Sequence, residues 1–146
     1  MKQGAFGQYI IKNQNLNSFM PIYEHVLNEY KFYIKKKSWD RKILRHKAVF
    51  GSKAKAFAVS AFTPFHLGEI MEEGNRYGAE AEIYQYGSDV ILRLLIVPYW
   101  TLADEREIFL LSQGLIEKMV DDKISRRKLD EIVGRLMVYR QQIYTF

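Results

Sequence analysis

The chain of 146 residues contains no cysteine. Disulfides, thiolate catalysis and cysteine-ligated zinc or iron–sulfur sites are therefore excluded. The sequence also lacks an apolar run long enough to span a bilayer, because the longest one, residues 90–103, carries Arg93 and Pro98. The first 17 residues do not contain the apolar core of a signal peptide. These absences predict a soluble, cytoplasmic protein without a membrane partner.

Motifs of the common enzyme and cofactor sites are missing as well. The chain has no phosphate-binding loop, dinucleotide fingerprint, nucleophile elbow or paired-histidine motif. His66, Glu69 and Glu73 fall on one face of a predicted helix and are the metal-site candidates. A solvated helix end explains these residues better, so a metal-dependent hydrolase ranks third among the functions considered. We expect a non-enzymatic protein without a metal or cofactor.

A strong period-2 pattern surrounds one turn in the middle of the chain. Ala81, Ile83 and Gln85 alternate with Glu82, Tyr84 and Tyr86, and residues 90–97 are aliphatic except for Arg93. Between them, Gly-Ser-Asp at 87–89 favours a tight reversal. We predict a hairpin at the centre of a sheet. Pairing across its turn also predicts a partly exposed ion pair between Arg93 and Glu82.

The remaining segments predict an α+β domain over residues 1–146, in the order β-α-β-β-α-β-β-α-α. Its antiparallel-rich sheet consists of two hairpins plus an N-terminal strand, with helices on one face and a C-terminal helical hairpin. The additional predicted elements are a strand at 6–12, a helix from about 18 to 36, strands at 42–50 and 54–62, a helix at 66–77, and two helices within 104–143, the last capped by Ser125.

Two turns of similar sequence divide the predicted domain. Residues 50–53 (FGSK) match residues 86–89 (YGSD), which indicates a weak helix–hairpin repeat over about 18–63 and 64–98. A helical third, 103–146, follows. Chance similarity explains the two turns equally well, because turns favour these residue types.

The charge of the chain is distributed unevenly. Residues 31–55 hold ten basic side chains and one aspartate, a net charge of +9, whereas the remaining residues hold twelve basic and sixteen acidic side chains, a net charge of −4. Such asymmetry favours a polyanionic partner, and interleaved aromatic residues are typical of single-strand binders. We therefore predict a nucleic-acid-binding module that favours single strands over sequence-specific recognition of a duplex. Its predicted binding residues are Lys31, Lys35, Lys36, Lys37, Trp39, Arg41, Lys42, Arg45, Lys47, Lys53 and Lys55.

Two plainer interpretations stay open for this basic segment. The lysines form a solvated face that keeps the protein soluble, and Trp39 folds back onto the sheet. The alternative function is a non-enzymatic protein-interaction or assembly module, most simply a homodimer, because ten Tyr, nine Phe and two Trp are many for one small core. The aromatic C-terminal segment, 139–146, is expected to dock. The element order is similar to that of small secretion-chaperone-like domains, which dimerise and bind unfolded protein segments.

Overall fold

The described part of the chain forms a seven-stranded sheet with helices packed on it, so the protein is an α+β protein as predicted. The computed structural model describes residues 3–50, 77–98, 109–113, 119–139 and 142–145. The strands are β1 (Gln3–Lys12), β2 (Phe32–Asp40), β3 (Ile43–Phe50), β4 (Tyr77–Tyr86), β5 (Asp89–Pro98), β6 (Val120–Asp121) and β7 (Gln142–Thr145). The helices are α1 (Leu16–Glu29), α2 (Lys123–Val138) and a 3-10 helix at Leu110–Gln113.

The strand order is β2-β3-β4-β5-β1-β6, and β7 also pairs with β1. The described strand pairs are antiparallel apart from β1 with β6. The predicted central hairpin is confirmed: β4 and β5 pair from Tyr77 opposite Pro98 to Tyr86 opposite Asp89. Gly87 makes the two-residue turn possible with a φ of 61°. Both partner positions beside this hairpin are filled, by β3 and by β1.

The two faces of the sheet are covered differently. On one face, here called the helix face, α1 and α2 bury the apolar side chains of alternate strand positions, such as Ala81 and Leu92. On the opposite face, the second face, Leu110 and Leu111 of the 3-10 helix pack on Leu95. The alternation predicted for residues 79–86 is thus confirmed, and it directs Glu80 and Glu82 to the second face.

The segment after α1 differs from the prediction. The helix ends at Glu29, and Lys31 adopts a φ of 63°, which a continuing helix does not allow. Residues 32–40 then form β2, so the Lys35–Lys37 run lies in a strand and not in the last turn of a helix. Phe32, at the start of β2, is buried, with 1% of its surface exposed, and β2 pairs with β3 over its length. This burial and pairing outweigh the helix propensity of the lysines.

The pairing of β3 also differs from the prediction. Its two neighbours are β2 and β4, and the β2–β3 turn falls at residues 41–42. Arg41 has a φ of 59° there, so the turn lacks the glycine or asparagine that would have marked it in the sequence. The predicted strand at 54–62 and the predicted helix at 66–77, apart from Tyr77, lie outside the described residues.

The C-terminal part of the chain docks on β1, as expected for its aromatic residues. Strand β7 pairs with β1 from Lys12 opposite Gln142 to Tyr9 opposite Thr145. Helix α2 begins after Asp122, whose carboxylate accepts a hydrogen bond from the Ser125 backbone N–H at 3.0 Å. Asp122 and not Ser125 is thus the N-cap. The preceding predicted helix is described at residues 109–113, where Leu110–Gln113 form a 3-10 helix, and at residues 119–120, where Val120 begins β6 and is not helical. No helix in the described ranges is both long and apolar enough to cross a membrane.

Candidate nucleic-acid interface

The β2–β3 hairpin carries most of the basic segment and lies at one edge of the sheet. Strand β2 is the outermost strand, so its outer backbone groups have no partner strand among the described residues. A β-bulge between Ile34 and Lys36 interrupts its pairing with β3. Lys53 and Lys55 lie outside the described residues. After the buried Phe32, the side chains of β2 are therefore largely exposed on both faces of the strand, whereas most side chains of β3 are buried.

Four basic residues, three in the hairpin and one directly before it, are exposed, and their side chains make no ion pair or hydrogen bond in the part of the chain that the structure describes. They are Lys31, Lys35, Arg41 and Lys42. Two of them, Arg41 and Lys42, occupy the turn, and Lys35 is the bulge residue. Unpaired exposed cations of this kind are available to phosphate groups at little desolvation cost.

Arg45 and Lys47 are neutralised by acidic residues within the fold. Arg45 Nη2 lies 3.2 Å from both Asp40 Oδ2 and Glu82 Oε2. Lys47 is 2% exposed, with its Nζ 3.7 Å from Glu80 Oε2 and 4.9 Å from the ring centre of Phe109. Phosphate binding by these two predicted binding residues is therefore unfavourable, because each side chain would have to leave a carboxylate.

Lys36 and Lys37 occupy opposite faces of β2. Lys36 lies opposite Lys47 on the second face, and its Nζ is 5.7 Å from the ring centre of Phe109. Lys37 lies opposite His46 on the helix face, and its Nζ is 2.5 Å from Glu24 Oε1. Both lysines are exposed. The basic segment is consequently divided between two faces and a turn, and does not form one flat surface.

Trp39 projects from the hairpin into solvent. It is 60% exposed, although it lies opposite Leu44 on the helix face. The interpretation that Trp39 folds back onto the sheet is therefore wrong. Tyr33, on the second face of the same strand, is 54% exposed. The hairpin thus combines two exposed aromatic rings with exposed cations, the combination that stacking on unpaired bases requires.

A buried polar cluster lies between the hairpin and α1. His46 is fully buried, its Nε2 is 3.5 Å from Glu24 Oε1, and its ring meets Tyr23 edge-on at 5.3 Å. Burial lowers the pKa of His46 to about 4; Glu24 opposes that shift and Lys37 adds to it. Burial also raises the pKa of Tyr23. The sequence offered no signal for this cluster, because His46 and Glu24 are brought together by long-range packing.

A ladder of polar residues crosses the second face. Glu82 Oε2 accepts from Arg45 Nε at 3.2 Å and Glu82 Oε1 from Arg93 Nη1 at 2.5 Å, while Arg93 Nε donates to Gln8 at 3.3 Å. The predicted Arg93–Glu82 pair is present, with side-chain exposures of 30% and 7%. The pairing of Arg45 with Glu82 was not predicted, because it depends on a β3–β4 pairing that no local turn fixes.

Glu80 anchors the 3-10 helix to the second face. It is fully buried, and its Oε1 accepts a hydrogen bond from the Leu111 backbone N–H at 2.7 Å. Burial raises the pKa of Glu80, against the opposing effects of backbone N–H donors and Lys47. The alternation of residues 79–86 placed Glu80 on this face, but nothing in the sequence identified its partner. A structural role accounts for its contacts.

The metal-site candidates His66, Glu69 and Glu73 lie outside the described residues. Within the described ranges, no three histidine, aspartate or glutamate side chains are grouped so that they could hold a metal ion. Comparison of the chain with protein families, curated proteins and solved structures found no match. Function is therefore inferred from the geometry and charge of the hairpin.

Proposed function

We propose that the protein is a non-enzymatic, cytoplasmic module that binds single-stranded nucleic acid through the β2–β3 hairpin. The observation that carries this proposal is the exposure of Trp39, 60%, near four exposed cations, Lys31, Lys35, Arg41 and Lys42, whose side chains have no partner among the described residues. Tryptophan is highly buried on average, so the exposed ring of Trp39 is a candidate contact surface. The ring offers a base a stacking surface, and the neighbouring cations neutralise the phosphates on either side of that base.

Single strands fit this hairpin better than a duplex. Stacking on Trp39 requires a base whose face is accessible, and bases within a duplex are covered by their neighbours. The cations are distributed over two faces and a turn of β2–β3, so a flexible backbone can follow them more readily than a rigid duplex. No sequence preference is expected, because every base has an aromatic face and phosphate contacts carry no sequence information.

A structural explanation competes for the lysines of β2. Lysine residues and a β-bulge on an edge strand prevent that strand from pairing with another chain, and β2 has both features. This explanation accounts for Lys35–Lys37 but leaves the exposed Trp39 unexplained. The two explanations are separable, since edge protection predicts no affinity for an oligonucleotide.

The homodimer alternative has less support than the hairpin interface. The aromatic C-terminal segment docks on β1 of its own chain, so it gives no support to a dimer contact. A symmetric antiparallel pairing of two β2 strands centred on Lys36 would place Lys35 opposite Lys37, and like charges so placed are destabilising. A partner that adds to this edge would have to be acidic.

A fluorescence titration tests the proposed interface. In a Trp100→Phe background, a short single-stranded oligonucleotide should quench Trp39 emission more strongly than the same sequence as a duplex. Measured by the anisotropy of a dye-labelled oligonucleotide, Trp39→Ala should weaken single-strand binding by about 1 to 3 kcal/mol, the contribution of one stacked base. The control is Tyr86→Ala, which removes an aromatic ring that is 69% exposed at the β4–β5 turn. No binding at low salt, or equal losses in the two variants, would contradict the proposal.

A further inference from the structure

Glu24 is shared between the hairpin surface and the buried histidine behind it. Its Oε1 lies 2.5 Å from Lys37 Nζ and 3.5 Å from His46 Nε2. The side chains of Lys37, Glu24 and His46 are 46%, 22% and 0% exposed. The three groups therefore form a short path from solvent to the interior, with one carboxylate oxygen in contact with two possible cations.

Lys37 lies next to the proposed stacking residue. Lys37 and Trp39 are two positions apart in β2, opposite His46 and Leu44, so their side chains leave the same face of the strand. A nucleic-acid strand with a base stacked on Trp39 would place a phosphate group close to Lys37. The ion pair with Glu24 competes with that contact, because a lysine ammonium that is shared with a carboxylate attracts a phosphate less strongly.

We infer that Glu24 is a positioning residue, and this inference rests on the proposed function. By holding Lys37, Glu24 lowers the affinity of the hairpin for nucleic acid. Binding of single-stranded nucleic acid transfers Lys37 from Glu24 to a phosphate, and His46 takes up a proton to replace Lys37 as the cation beside Glu24. The wild-type protein thus binds more weakly at neutral pH than its exposed cations would allow, and its affinity increases as the pH falls.

The sign of the pH dependence follows from the groups around His46. Tyr23 and Glu24 face it from α1 and Lys37 from β2, while its neighbour on β4 is Ala81, which carries no charge. Burial is the main cause that lowers the pKa of His46; Glu24 raises this pKa and Lys37 lowers it further. Withdrawal of Lys37 leaves the raising influence unopposed by a nearby cation. The complex therefore binds more protons than the free protein, and by linkage protons strengthen binding.

The test compares two substitutions on the same helix. Glu24→Gln frees Lys37 and should raise the affinity for a short single-stranded oligonucleotide at 0.1 M salt. One additional phosphate contact changes the association constant by about fivefold for each tenfold change in salt concentration. The control Glu29→Gln removes the same charge from α1 at a site paired with Arg135, and should leave affinity unchanged. Equal affinities for the two variants would overturn the inference.

A second measurement keeps the inference testable if Glu24→Gln folds poorly. The pKa of His46, followed by NMR of its ring protons in the wild-type protein, should rise when the oligonucleotide is added, and wild-type affinity should increase as the pH is lowered from about 7.5 to about 5. His46→Gln should abolish that increase. Binding with an unchanged His46 pKa would overturn the inference but leave the proposed function standing. An absence of any binding would remove the proposed function itself.

Discussion

Glu82 joins three neighbouring strands through its two carboxylate oxygens. Arg45 of β3 and Arg93 of β5 each donate to one oxygen of this β4 residue. Loss of Arg93 leaves Glu82 paired with Arg45, whereas loss of Glu82 leaves two arginines side by side. We therefore predict that Arg93→Met lowers the free energy of unfolding by about 1 kcal/mol or less, and Glu82→Gln by roughly 3 kcal/mol.

Urea unfolding of the two single variants and the double variant measures this difference. The double-variant cycle should give a coupling energy on the order of 1 kcal/mol, because Arg93 is 30% exposed and partly screened by water. A loss above about 3 kcal/mol for Arg93→Met alone would show that Arg45 does not compensate. The Arg93–Glu82 pair could be predicted from the sequence, because a two-residue turn fixes the β4–β5 register. The contact between Arg45 and Glu82 is visible only in the tertiary structure.

His46 makes the free energy of unfolding depend on pH. Its pKa is about 4 in the folded protein and about 6.5 when unfolded, so between these values the unfolded chain holds a proton that the folded protein does not. This contribution to stability is therefore lost as the pH falls through that window. The expected loss is about 2 kcal/mol between pH 7 and pH 5.

The measurement is the free energy of unfolding at pH 7 and at pH 5 for the wild type and for His46→Gln. Glu80 acts in the opposite sense, because its pKa is raised and folding favours its protonated form at low pH. Subtracting the variant from the wild type removes that contribution, which the two share. A wild-type protein that loses no more stability than His46→Gln would contradict the buried, neutral histidine.

At the scale of elements, two glycines with different surroundings test the packing of β1 and α2. A Cβ added to Gly134 meets nothing within 4 Å, whereas one added to Gly4 lies 2.8 Å from the Ile96 carbonyl oxygen. Gly134→Ala should stabilise the protein by about 0.5 to 1 kcal/mol, because glycine is unfavourable within an exposed helix. Gly4→Ala should destabilise it by about 1 to 3 kcal/mol through overpacking against backbone.

Thermal unfolding distinguishes the two glycine variants. A change of 1 kcal/mol in the free energy of unfolding shifts the melting temperature by about 2 to 4 °C for a protein of this size. The melting temperature should rise for Gly134→Ala and fall for Gly4→Ala. A lower melting temperature for Gly134→Ala would show that α2 is not an exposed helix at this position. Equal melting temperatures for Gly4→Ala and the wild type would show that β1 can move away from β5.

The elements also differ in how far the sequence could predict them. The central hairpin and β1 were predictable, because alternation and turn residues are local signals. Strand β2 was not, because Lys35–Lys37 also suits the negative end of a helix dipole and the β2–β3 turn contains Arg41 and Lys42 in place of glycine. Its identity as a strand depends on pairing with β3, which only the assembled sheet supplies.

At the scale of the whole molecule, a basic edge hairpin extends from a body of opposite net charge. The sequence predicted this asymmetry but not its distribution: Arg45 and Lys47 are held by acids within the sheet, and Lys31, Lys35, Arg41 and Lys42 stay exposed. The separation of structural from available cations depends on which strand neighbours bring carboxylates. It could not be predicted from charge counts along the chain.

The salt dependence of oligonucleotide binding tests the proposed interface most directly. The logarithm of the single-strand association constant should fall with the logarithm of salt concentration by about 0.7 per phosphate contact. Combined substitution of Lys35→Gln, Arg41→Asn and Lys42→Gln should reduce that slope by about 2, since three contacts are lost. Asparagine is chosen at position 41 because it tolerates a positive φ.

The matched control removes three cations outside the hairpin, by Lys12→Gln, Lys123→Gln and Arg127→Gln, and so changes the net charge equally. The proposed interface predicts an almost unchanged slope for this control and a much smaller slope for the hairpin variant. Equal slopes in the two triple variants would show that net charge alone attracts the oligonucleotide and would contradict binding at the β2–β3 hairpin.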